Sequence, residues 1–231
     1  MSTKRLFDSL FRIIGDSDDY FIIGSLSFLP LTAPHREPGH DIDVSLSREL
    51  FEARRHIIIK EGETRALRLS EVAVAKDSSA TRFLNPGTDF FHVDTGEGLL
   101  DFALYRLDKD FIVFKLGVGL AFAIPVTVLK RVQVLSWKGF SYRAGPPEFT
   151  FLPKAVMYTQ LKHTKEILDE EELKHLDDLK RLGQIIDWDF TSELLDQLEV
   201  RWFGHQIPRA FDQRFNPFRE IDMNRLREEL S

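Results

Sequence analysis

The sequence predicts an α+β fold: a mixed β-sheet flanked by helices over residues 1–152, followed by an all-helical region over residues 153–231. Two observations carry this. Up to about residue 150, short apolar, β-branched and aromatic runs alternate with turn signals and only a few helical segments. From Pro153 the texture changes to charged segments with helical spacing, "KAVMYTQLKHTKEIL", "DEEELKHLDDLKRLGQIID", "SELLDQLEVRWFG" and "FREIDMNRLREEL".

Each element follows from local pattern. "MSTKRLFDSLFRIIGDSDD" places Leu6, Phe7, Leu10, Phe11, Ile13 and Ile14 at helical spacing and interrupts them with acids, which makes it an amphipathic helix and not a signal peptide. "DYFIIGS" reads as a short buried strand ending at Gly24-Ser25. "LSFLPL" starts a helix that the Pro- and Gly-rich "TAPHREPGH" ends. "DIDVSL" is a second strand. "SRELFEARRHIIIKEG" is a helix with Ser47 as N-cap and Gly62 at its end. "DFFHVD" and "LLDFALYRL" flank the turn "TGEG" as a hairpin. The run from Phe111 to Leu129 is nearly long enough for a membrane span, but Lys115, Gly117, Gly119 and Pro125 break it, and a buried hairpin turning at "GVG" suits it better.

Bulk composition narrows the function classes. The 231 residues carry a net charge of −6, with 43% apolar and 29% charged residues, so no global charge points to nucleic acid or an anionic membrane. The absence of Cys removes disulfides, thiolate metal sites and a cysteine nucleophile. The histidines show no zinc-ligand spacing. A cytoplasmic location is the default expectation, with no membrane partner.

The chemistry concentrates in "YFIIGSLSFLPLTAPHREPGHDIDVSLS", residues 20–47. On a strand, Asp41 and Asp43 point to one face while Ile42 and Val44 point to the other. Two like charges at that spacing repel, so a cation is the expected partner. A third acid on a later strand, Asp101 in "LLDF" or its competitor Asp94 before the turn, would complete an oxygen-only pocket suited to Mg²⁺ or Mn²⁺. Upstream, Gly24 lets the backbone approach a phosphate closely, and Ser25 offers a hydroxyl and an N–H. Bland readings stand beside these: His40 as a loop residue, and Lys174, His175, Lys180 and Arg181 as a solvated helix face among interleaved acids.

"GSLSF" followed by "HDIDV" resembles the signature of the nucleotidyltransferase superfamily (the DNA polymerase β-like fold), a Gly-Ser turn followed by an Asp-x-Asp strand. The resemblance is closest to small prokaryotic members: minimal nucleotidyltransferases, AbiEii-type toxins and antibiotic nucleotidylyltransferases. It implies that Gly24 and Ser25 contact nucleotide phosphates and that Asp41 and Asp43 bind metal, with Asp101 as the third acid. It also places Lys162 and Asp178 where the family has a lysine and a late aspartate on the following helices. The gap from Ser25 to Asp41 is longer than the family's and carries three prolines. The implied activity is metal-dependent transfer of a nucleotide monophosphate from an NTP to an unidentified acceptor (an RNA end, a protein or a small hydroxylated molecule), with release of pyrophosphate. Two alternatives belong to other classes: a catalytically silent nucleotide-binding module, and a toxin–antitoxin component acting on tRNA or a partner protein.

Overall fold

A computed structural model of the chain describes residues 3–32, 37, 39, 41–66, 89–117, 120–164, 170–202 and 217–230. The chain opens with helix α1 (Thr3–Ile14) and strand β1 (Tyr20–Ile22), followed by two 3₁₀ turns, Gly24–Ser27 and Leu29–Leu31. Strand β2 (Asp41–Ser47) leads directly into helix α2 (Arg48–Glu61), and strands β3 (Glu63–Ala66), β4 (Phe90–Asp94) and β5 (Leu99–Asp108) follow. Next come β6 (Phe111–Gly117), β7 (Leu120–Pro125), β8 (Gln133–Trp137) and β9 (Phe140–Ala144). The C-terminal region holds helices α3 (Pro147–Thr164), α4 (Glu170–Gly183) and α5 (Trp188–Gln197), strand β10 (Glu199–Trp202) and helix α6 (Met223–Leu230).

Among the described residues the strands form one ten-stranded mixed sheet in the order β10-β7-β6-β5-β2-β1-β9-β8, with β4 also on β5 and β3 on β4. Strands β2 and β5 are parallel over their full overlap, Asp41↔Leu99 through Ser47↔Tyr105. Antiparallel β4 covers the first half of β5, and β6 covers its last residues. Strand β5 is thereby the shared spine of the sheet. The expected hairpin around "TGEG" is present, with Asp94 accepting from the Gly96 N–H in the turn at 2.8 Å.

Among the described residues, the two larger apolar cores lie on opposite faces. On one, Leu6, Phe7, Leu10 and Ile14 of α1 and Leu50 and Ile58 of α2 pack on Ile42, Val44, Leu46, Leu100, Phe102 and Leu104. On the other, Phe151, Leu152 and Ala155 of α3 and Leu179 and Leu182 of α4 pack over Phe21, Ala103, Tyr105 and Phe114. The Ser47 side chain caps α2 by accepting from the Leu50 N–H at 3.1 Å, and Gly62 closes that helix.

Three local expectations are corrected. "LSFLPL" forms only 3₁₀ turns, because Pro30 has no N–H to continue a helical ladder. The long helix starts at Pro147, before the expected boundary, and runs through residue 153. "LEVRW", expected as helix, continues as β10, whose Val200 pairs with Phe122 on the edge of β7; tertiary pairing overrides the helical texture there. Phe111–Leu129 forms the antiparallel pair β6–β7 and a 3₁₀ turn; residues 118–119 of the "GVG" turn lie outside the described residues. Among the described residues no helix is long and apolar enough to cross a membrane.

Candidate metal centre and its cleft

Register brings the acids together. Asp43 on β2 is the direct neighbour of Asp101 on β5, and parallel neighbours share a face; Asp41 lies one two-residue step along β2. One carboxylate oxygen from each of Asp41, Asp43 and Asp101 lies within 4.8 Å of the others. Asp101, and not Asp94, completes this cluster: Asp94 is exposed and spends its carboxylate on the turn.

The cluster is short of partners. Asp101 Oδ1 is buried and accepts no hydrogen bond, and the buried Ser45 Oγ on the same face of β2 is likewise unpaired among the described residues. An orphaned buried carboxylate oxygen is costly unless something positive completes it. Burial, then the charges of Asp41 and Asp101, push the Asp43 carboxyl up to about 7 against the pull of Lys154 and Lys174. Burial and Asp41 also raise Asp101, with His92, its cross-strand neighbour on β4, acting against them. Three hard oxygen donors with an orphaned atom fit a Mg²⁺- or Mn²⁺-type ion.

The Gly-Ser turn is built onto this cluster. The Ile23 N–H donates to the Asp43 carbonyl at 2.9 Å, fixing β1's end against β2. Gly24 has φ +64°, and a Cβ there would collide with the Asp43 carboxylate, so position 24 needs glycine twice over. A Cβ at Gly39 would similarly strike the Asp41 carboxylate. The Gly24 N–H donates to Thr150 Oγ1 at 3.2 Å, Ser27 Oγ donates to the Gly24 carbonyl at 2.8 Å, and the Ser27 and Thr150 hydroxyls meet at 2.9 Å. The turn is thus pinned to α3 as well as to β2.

Gly24, Ser25, Gly39, Asp41 and Asp43 line a cleft of about 350 Å³ whose far wall is helical: Thr150 and Lys154 of α3, and Lys174, His175 and Asp178 of α4. Lys154 Nζ is 3.0 Å from Asp178 Oδ2 and 3.2 Å from His175 Nδ1. Carboxylates on the sheet side therefore face ammonium groups on the helix side.

Of the residues singled out from sequence, Gly24, Ser25, Asp41 and Asp43 line this cleft, and Asp101 joins the acid cluster. Asp178 lines the cleft too, paired with Lys154. Lys162 belongs to α3, two helical turns beyond Lys154; its side chain and all of His40 lie outside the described residues. Sequence reading missed Lys154, Thr150 and Ser27. The available signal was helical: Thr150 and Lys154 are four apart and share one face.

No family model and no curated protein matches the chain. Similar solved structures include ANT(2'')-Ia in complex with adenylyl-2''-tobramycin, at 13% identity over 84% of this chain and 95% of that one, TM-score 0.49. The lincosamide antibiotic adenylyltransferase LnuA in its lincomycin-bound form aligns at 16% identity over 80% and 99% of the two chains, TM-score 0.49. The Thermotoga maritima protein TM1012, described as a nucleotidyltransferase, aligns at 17% identity over 77% and 93%, TM-score 0.42. Similarity this loose assigns no activity; the side chains have to.

Proposed function

We propose that this chain is a metal-dependent nucleotidyltransferase that moves a nucleotide monophosphate from an NTP to a hydroxyl-bearing acceptor. The observation that carries the reading is the register pair Asp43–Asp101 with Asp41 beside it, an acid cluster with an orphaned oxygen opening onto a cleft walled by lysines. Asp41, Asp43 and Asp101 would hold Mg²⁺ or Mn²⁺, which when bound supplies positive charge to the triphosphate and to the charge developing on transfer.

The chain's own groups do the rest. Gly24 makes room for the Asp43 carboxylate against the turn, and Ser25 offers its hydroxyl and N–H to the phosphates. Lys154 and Lys174 present positive charge from the opposite wall. The acceptor oxygen bonds to the α-phosphorus as the bond from that phosphorus to the bridging oxygen breaks. Pyrophosphate leaves with that electron pair. The hydroxyl proton passes to solvent, with the carboxylates beside the acceptor oxygen as the groups able to relay it.

Thermal unfolding with Mg²⁺ or Mn²⁺ and each of the four NTPs tests this. At about 100 times the dissociation constant, a ligand that binds only the folded state adds roughly 2.7 kcal/mol. The wild type is expected to shift only with metal and nucleotide together, and Asp41→Asn/Asp43→Asn to lose the response. No shift with any NTP, or an undiminished shift in the double variant, sinks the reading. A shift with no pyrophosphate release under any acceptor leaves a nucleotide-binding module.

A further inference from the structure

Beside the acid cleft lies a second cavity of about 270 Å³ whose lining is wholly apolar. Its deep walls are Phe114 of β6, Ile124 of β7, Leu194 of α5 and Phe218. Ile23, Phe149 and Pro153 line both spaces. The residue after each of these, Gly24, Thr150 and Lys154, lines only the polar cleft, so the boundary is crossed within one residue at the Gly-Ser turn and twice along α3. The sheet provides the same transition: Ala103 lines the apolar cavity two residues after Asp101 on the same face of β5, a separation of about 6.6 Å along a strand.

We propose, resting on the nucleotidyltransferase reading, that this cavity holds the apolar body of the acceptor, and that the acceptor class is a small hydrophobic alcohol or phenol and not a sugar-like polyol. An apolar body seated over Ala103 brings a hydroxyl on a short linker towards the acid cluster, where its oxygen takes the nucleotide monophosphate, its proton passes to solvent and pyrophosphate leaves. The nucleobase is a poorer occupant, because the lining offers no hydrogen-bond donor or acceptor for a base edge. A polyol would leave its hydroxyls unpaired there for the same reason.

The test uses 3-phenylpropan-1-ol and glycerol on the full chain. Calorimetric titration without nucleotide is expected to show saturable binding of the phenyl alcohol and none of glycerol. Filling the cavity with Ile124→Phe, or with Ala103→Leu should the first variant fail to fold, is expected to weaken that binding at least tenfold. With metal and the preferred NTP, the phenyl alcohol is expected to raise pyrophosphate release at least tenfold over glycerol. Absent binding, or binding unchanged in a folded filled variant, overturns the assignment. So does binding without stimulated pyrophosphate release, or loss of the metal–nucleotide thermal shift in Ile124→Phe, which would seat the nucleobase there. The wild-type metal–nucleotide shift measured without alcohol reports separately on the nucleotidyltransferase reading.

Discussion

Strands β2 and β5 have one backbone and two contrasting faces. On one face Ile42, Val44 and Leu46 meet Leu100, Phe102 and Leu104, all buried beneath α1 and α2. On the other, one residue out of phase, Asp41, Asp43 and Asp101 gather without enough partners. The dry face supplies burial free energy, about 25 cal/mol for each Å² of apolar surface removed from water, and the acid face spends part of it on repulsion and desolvation. The difference teaches that parity alone separates stability from chemistry in this sheet. A strand held firmly by its buried side can tolerate an unfavourable arrangement on the other.

The sharpest way to break the contrast is to move an acid across it. Val44→Asp would set a carboxylate in the α1–α2 core with no partner, at a cost of at least about 4 kcal/mol. Loss of the cooperative transition by circular dichroism is the expected result; a folded variant would show the dry face to be far looser than its packing indicates.

The reverse change relieves the acid face. Because folding lifts Asp43 to about 7 from an ordinary carboxylate value, the folded state holds a proton that the unfolded state has already released between about pH 4 and 7. Metal-free stability should therefore fall as pH rises through that window, with the full penalty present above it. Asp43→Asn removes the penalty, so at pH 8 the metal-free variant should be more stable than wild type by about 1–3 kcal/mol and its midpoint should vary less with pH. Denaturant titrations at pH 5 and pH 8 check the sign; a variant that is less stable at pH 8 contradicts it.

Gly24→Ala probes the seam between turn and acid face. The added methyl group meets a left-handed φ and the Asp43 carboxylate together, for an expected loss of about 1–2 kcal/mol. Chemical denaturation measures it, and a neutral result would mean that Asp43 swings aside at no cost.

Much of this was legible from local pattern. The Asp-x-Asp alternation, the Ser47 cap and the "TGEG" hairpin each depend on neighbours a few residues away, and each is where the pattern puts it. What escaped depends on pairings distant in sequence. Asp101 as the third acid follows from the resemblance, but its place directly beside Asp43 comes from the β2–β5 register, which brings together residues nearly sixty positions apart. Lys154 looked like any lysine on a helix until α3 was laid across the Gly-Ser turn and α4 brought Asp178 to it. Strand β10 was hidden for the same reason, since Val200 and Trp202 need the edge of β7 to make a strand of their segment.

The joint at Gly24 also has a thermodynamic consequence. Through the Ile23 N–H on the Asp43 carbonyl and the close approach of Gly24 to the Asp43 side chain, the Gly-Ser turn and strand β2 form one mechanical unit. A ligand that orders the turn therefore also settles the orientation of Asp43, and one that orders Asp43 settles the turn. Cooperativity between two such ligands is reciprocal: whatever factor one contributes to the affinity of the other, it receives in return.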